Sequence, residues 1–169
     1  INVKLEILKN EQLTDEIVLK IAETIYGNDI DNESIDICKL RIFFKLINNL
    51  QRKESYSKLA EIINKRFFTI DYIQKYEKIK MKFDIIVGNP PYVEYGKYLK
   101  ENKCKLENNF GNIYADVLKN SIDMSNENTV LGYIIPLSYV ATPRMNKIRE
   151  FIYENSEKQF LLNFADRPD

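Results

Sequence analysis

Six residues, Phe83-Asp84-Ile85-Ile86-Val87-Gly88, run apolar almost without a break and stop at Asn89-Pro90-Pro91-Tyr92. A nearly continuous apolar run, rather than an alternating one, marks a strand covered on both faces, as in a parallel sheet. Two consecutive prolines cannot extend that strand, because each lacks an N–H and has a fixed φ. Asn89 is biased to an extended conformation because a proline follows it. The strand therefore ends in a stiff corner that offers the Asn89 side-chain oxygen and backbone carbonyls as acceptors. Tyr92 adds a flat apolar face suited to stacking a planar base.

Parallel strands need crossover helices, and the rest of the chain supplies the pattern. Residues 13–24 carry apolar positions at helical spacing behind Thr14 as N-cap, with Asp15 and Glu16 in the first turn. Residues 25–31 read as a short strand running into an acidic loop. Asn32 or Asp31 then caps a second helix, which runs to Asn48-Asn49. Residues 51–65 are polar and basic, with a helical hint at Leu59, Ile62 and Ile63. Phe67-Phe68-Thr69-Ile70-Asp71 reads as a second strand, and residues 93–110 as a long loop. Helical spacing returns from Ile113 to Met124. A strand follows at 129–136, then a helix at 142–155 and a fifth strand at Phe160-Leu161-Leu162-Asn163-Phe164. Such alternation predicts an α/β fold with an open, mostly parallel sheet. Ligands of such sheets bind at the carboxyl ends of the strands, where Asp29, Asp71 and Asn89 fall.

Composition removes several classes of chemistry. The 169 residues are 44% hydrophobic, enough for a real core. Lys+Arg and Asp+Glu are 25 each, so no pervasive basic field exists. There is no histidine, which excludes Ser-His-Asp and Cys-His catalysis and His-ligated metals. Cys38 and Cys104 are too few for a disulfide framework or a four-cysteine zinc site, and a reduced compartment is the simpler expectation. No apolar run is long enough to span a membrane, and the charged start, Ile1-Asn2-Val3-Lys4, is unlike a signal peptide. The missing initiator Met and the abrupt end at Arg167-Pro168-Asp169 suggest a piece of a longer protein.

Several polar residues have a plain structural alternative. Asp31 reads as a helix cap, whereas Asp29, at the strand end, is the better ribose candidate, since a carboxylate accepts well from vicinal hydroxyls. Asp84 reads as structural and Cys38 as core. Lys97, Lys100, Lys103 and Lys105 follow the proline corner and are placed to touch a phosphate backbone, although Glu94, Glu101 and Glu107 dilute them. Lys75, Lys78, Lys80 and Lys82 read as a solvated face.

Residues 83–93, with Asn89-Pro90-Pro91-Tyr92 at their centre, resemble the catalytic motif of the N6-adenine DNA methyltransferases, especially the gamma-type enzymes of type I and type IIG restriction–modification systems. Tyr26-Gly27-Asn28-Asp29-Ile30-Asp31 resembles the family's second cofactor motif, and Asp71-Tyr72 its third. Gly132-Tyr133-Ile134-Ile135-Pro136-Leu137-Ser138 and Phe164-Ala165-Asp166-Arg167-Pro168-Asp169 resemble later family segments. The resemblance implies a Rossmann-like sheet of the class I methyltransferase type, truncated at both ends. It makes 1–169 one partial catalytic domain, with a helical segment at 1–24 and the cofactor and catalytic core at 25–169. It implies S-adenosylmethionine as cofactor, held by Asp29, Ile30, Asp71 and Tyr72, with Asn89, Pro90, Pro91 and Tyr92 catalytic and no metal. The implied partners are double-stranded DNA and either the rest of the same polypeptide or a specificity subunit. The implied compartment is a bacterial cytoplasm, away from membranes. The family's Gly-rich first motif is missing, since Gly27 is the first glycine. Its later aromatic motif and its target-recognition domain would lie past Asp169.

Two other readings stand beside this one. Similar Asn-Pro-Pro-Tyr corners occur in methyltransferases of RNA guanine or of protein glutamine. A non-catalytic nucleic-acid-binding module could also keep the fold.

Overall fold

The computed structural model describes residues 13–102 and 110–164. The expectations for Lys103, Cys104, Lys105 and Glu107, for residues 1–12 and for 165–169 lie outside the described residues. The chain divides into two compact units, 1–72 and 73–169.

In the first unit, helix α1 (Asp15–Glu23) starts at Thr14, whose hydroxyl accepts from Ile17 N, and buries Val18, Ile21 and Ala22. Strand β1 (Gly27–Asp29) follows. Helix α2 (Asn32–Ile47) is capped by Asp31, which accepts from Ser34 N at 2.9 Å. Helix α3 (Glu54–Arg66) leads straight into β2 (Phe67–Thr69). β1 and β2 pair in parallel, Gly27 with Phe67 and Asp29 with Thr69. Val18, Leu46 and Leu59 sit in the core without exposed surface. Asp15 ties α1 to the start of α3: its carboxylate accepts from Gln51 N, Arg52 N and the Ser55 hydroxyl. These bonds hold its pKa below 3.8, with the Ser55 hydroxyl the largest influence. Gly27 is required by packing, since a Cβ there would lie 2.4 Å from the Phe67 ring.

The short helix α4 (Tyr72–Lys75) begins at the last residue of that unit. In the second unit, β3 (Phe83–Gly88) is followed by α5 (Tyr95–Asn102), α6 (Ile113–Asp123) and β4 (Ser125–Tyr133). A short α7 (Ser138–Ala141) and α8 (Asn146–Glu154) complete it. β3 and β4 pair in parallel, Ile85 with Val130 and Gly88 with Tyr133. Tyr114, Met145 and Ile148 are its fully buried centre. Gly111, at φ 84°, turns the chain into Asn112, the N-cap of α6. Left-handed φ values of this kind suit glycine.

Among the described residues the strands pair as two two-stranded parallel sheets, one within each unit. The molecule is a mixed α/β structure consistent with a fragment of a Rossmann-like fold, and no described residue forms a strand along the free edge of either pair. The face of β3 carrying Ile85 and Val87, 66% and 75% exposed, is not covered. Part of the expected loop after Tyr92 is helix α5, anchored by the buried Tyr95 and Tyr98 one turn apart. No strand forms at 160–164, where Phe160 and Leu162 are 87% and 82% exposed; apolar residues alone do not make a strand without a neighbour to pair with.

Two boundaries also shift. The 142–155 helix is shorter, starting at Asn146 after a 3-10 turn at Pro143–Met145. β4 starts four polar residues earlier than expected, at Ser125. That extension holds because Thr129 Oγ1 donates to Phe83 O and accepts from Asn126 N, bridging the irregular register between Phe83 and Ile85.

Candidate active site

The expected site residues fall on both units. Asp29, Ile30, Asp71 and Tyr72 belong to the first. Asp29 ends β1 and pairs with Thr69, the last residue of β2, so Asp71 follows two residues past the end of that neighbouring strand. The parallel pairing therefore brings these two carboxylates to the same end of one small sheet. Asp29 Oδ1 accepts from Asp31 N at 2.9 Å, an Asx turn that starts the loop into α2, while Oδ2 has no protein donor among the described residues. Ile30, 64% exposed, presents apolar surface beside it. Asp31 is a helix cap, as its sequence position suggests; the Ser34 hydroxyl, then the Ser34 N–H, lower its pKa.

Asn89-Pro90-Pro91-Tyr92 lies in the second unit, at the carboxyl end of β3. The ladder continues one step past the strand, Ile134 N donating to Gly88 O at 3.2 Å, and the prolines then end it. The Tyr92 hydroxyl lies 2.7 Å from Asn89 Oδ1 and 3.0 Å from the Ile134 carbonyl, donating its one proton between these acceptors. The Tyr92 ring meets the buried Tyr114 edge-on, centroids 6.4 Å apart at 88°. An edge contact leaves a ring face available, and Tyr92 is 49% exposed. Just beyond the corner, Val93 O accepts from Ile113 N, and Glu94 pairs with Asn112, docking the first turn of α6 against it. Tyr114 O–H and Ser138 Oγ lie 3.3 Å apart. The corner is thus held from three sides: by β4, by the start of α6, and by its own prolines.

Other singled-out residues behave plainly. Asp84 accepts from Asn126 Nδ2 at 3.2 Å, linking β3 to β4. Cys38 packs partly against the first unit's core, and burial raises its thiol pKa. Lys97 lies 3.9 Å from Glu101 on the exposed side of α5. Lys82 donates to the Asp123 carbonyl. Sequence reasoning missed Asn28, Tyr114 and the Ile134 carbonyl. Only Asn28 carries a local signal, as an asparagine at the centre of a strand, where that residue is depleted.

In each unit the singled-out residues sit at the carboxyl ends of parallel strands, where ligands of open α/β sheets bind. Residues 23–168 match the family described as Eco57I restriction-modification methylase, and the chain belongs to that family. It is 26% identical over 172 residues to the type II restriction enzyme and methyltransferase RM.Eco57I of Escherichia coli, covering 86% of this chain and 17% of that protein. It is 29% identical over 101 residues to the type II methyltransferase M.AccI of Acinetobacter calcoaceticus, covering 54% of this chain and 18% of that one. The type II methyltransferase M.BstVI of Geobacillus stearothermophilus is 27% identical over 110 residues, 60% of this chain and 20% of its own length. The chain thus spans a fifth or less of the curated relatives it matches.

Proposed function

We propose that this chain holds the cofactor and grips the reacting amine in a methyltransferase that moves a methyl group from S-adenosylmethionine to the N6 amine of an adenine flipped out of DNA. The observation that carries the reading is the Asn89-Pro90-Pro91-Tyr92 corner at the carboxyl end of a parallel strand, in a chain of a restriction–modification methylase family. A DNA substrate agrees with that family description and with the relatives' names.

The residues of the first unit fit an adenosine group by their chemistry. Asp29 would accept from the ribose hydroxyls through its unused Oδ2. Asp71 would accept from the adenine amine, and Ile30 and Tyr72 would flank the purine. S-adenosylmethionine supplies a methyl group already activated on a sulfonium, so the protein's contribution is position and electrostatics.

The target adenine has to leave the base stack to be reached. Asn89 Oδ1 and the Pro90 carbonyl then accept both hydrogens of its amine, drawing the nitrogen lone pair out of ring conjugation. Pro91 keeps the corner rigid, and Tyr92 stacks the base. Asn89 Oδ1 has two lone pairs, so it can accept from the amine while the Tyr92 hydroxyl stays bonded to it at 2.7 Å, and the Ile134 carbonyl at 3.0 Å is that hydroxyl's alternative acceptor. The amine loses its proton after the transfer, so the lack of histidine is no obstacle.

The test is methyl transfer by the full polypeptide carrying this chain, with the methylated product read by mass spectrometry. DNA N6-methyladenine is the expected product, and Asn89→Ala should slow its formation by about a hundredfold or more, as loss of a preorganised acceptor does. A near-normal rate in Asn89→Ala would overturn the assigned role. Methyl groups found on RNA or on a protein glutamine, with DNA untouched, would overturn the substrate.

A further inference from the structure

We propose that Asn28 is a positioning residue for the two carboxylates assigned to the adenosine group, a role that rests on that assignment of Asp29 and Asp71. Asparagine is a poor strand residue, yet Asn28 is the middle of the three residues of β1. Its side-chain amide behaves as one more peptide group. Nδ2 donates to Ile70 O at 3.0 Å, and Oδ1 accepts from Ile70 N at 3.1 Å. Ile70 N also lies 3.2 Å from Asp29 O.

Both backbone polar groups of Ile70 are therefore taken by Asn28 and Asp29. β2 ends at Thr69, so Ile70 lies beyond the strand and the side chain prolongs the pairing there. The consequence follows from sequence order. Asn28 directly precedes Asp29, and Ile70 directly precedes Asp71. A two-point clamp between the first residue of each pair fixes the separation and direction of the second. A three-residue parallel pair has little ladder of its own to do this. A ligand that touches ribose with one carboxylate and purine with the other needs that separation held to a fraction of an ångström.

A residue that only stabilised the strand pair would weaken every nucleoside ligand alike. A positioning residue should also change which nucleoside is preferred. The experiment is calorimetric titration of the full polypeptide with S-adenosylhomocysteine and with its deaminated counterpart, S-inosylhomocysteine, which lacks the purine amine. Asn28→Ala should raise the Kd for S-adenosylhomocysteine about tenfold, the worth of two modest hydrogen bonds, and cut the preference for the amine-bearing compound at least about threefold. Should that variant fail to fold by circular dichroism, Asn28→Asp decides, because it still accepts from Ile70 N but cannot donate to Ile70 O. It should show a smaller loss of preference in the same direction.

Equal weakening of both compounds, or a Kd within about twofold of wild type, would overturn the proposal. The underlying reading fails separately: Asp71→Ala that leaves the preference intact sinks the role of Asp71 itself. Asp71→Ala that flattens the preference while the Asn28 variants do not sinks only the role of Asn28.

Discussion

Replacing Asp116 by an asparagine should stabilise the protein at pH 8 far more than at pH 5. Asp116 lies in the first half of α6 at 5% exposure, and its Oδ2 is buried without a hydrogen-bond partner among the described residues. Burial raises its pKa from 3.8 to about 7, while its own backbone N–H and then Lys119 pull the other way. Lys119 gives limited help because it pairs with Asp123 and bonds the Tyr76 hydroxyl. The folded pKa lies above the unfolded one, so the sign is fixed. Below about pH 4 both states hold the proton, and burial of the carboxyl costs little. As pH rises toward 7 the unfolded chain releases the proton and the folded chain keeps it, so stability falls by about 1.4 kcal/mol per pH unit. Above pH 7 both states are ionised and the slope vanishes. Between pH 5 and pH 8 some two units of that slope operate, about 3 kcal/mol in all, an upper bound because a relaxing interior softens the penalty. A side-chain amide at this position does not titrate, so the wild-type and Asp116→Asn curves should separate by up to that amount across the window. Urea unfolding followed by circular dichroism at both pH values measures it. A difference between the two proteins that is the same at pH 5 and pH 8 would refute the argument.

Two further outcomes follow from the first unit. Asp15→Asn should lower the thermal midpoint at pH 7, because the amide cannot accept from Gln51 N, Arg52 N and Ser55 together as the carboxylate does. Its pKa is held below 3.8, so the stability it contributes is present above that value and lost as pH falls through the lower folded value; thermal scans of the two proteins should converge in acid. Gly27→Ala should destabilise the β1–β2 pair by about 1–3 kcal/mol, the usual cost of overpacking, because the new methyl displaces the Phe67 ring; chemical denaturation unchanged from wild type would contradict the close approach.

What the chain reveals in advance depends on how local the cause is. β3 ends where two prolines remove its donors, and α2 begins where Asp31 caps Ser34, so neighbouring residues settle both boundaries. Helix α5 reads as loop in the sequence because its anchors are Tyr95 and Tyr98, aromatics whose hydroxyls allow either burial or exposure. Gln74 Nε2, far away in sequence, donates to the Tyr98 hydroxyl and helps bury it. The segment 160–164 fails in the opposite direction: it has strand composition, but a strand also needs an edge to join, and no run of five side chains encodes that edge. The candidate site divides along the same line. Residue types carry the chemistry, so Asn89, Tyr92, Asp29 and Asp71 stand out as candidates from the chain alone. Their settings cannot, because Asn28 reaches Ile70 and Tyr92 reaches the Ile134 carbonyl across 42 residues in each case. An asparagine in β1 and a backbone carbonyl just past β4 are ordinary until the fold brings one against Ile70 and the other against the Tyr92 hydroxyl. On the proposed reading the chemistry is therefore written locally, while the precision it needs is set by contacts distant in the chain.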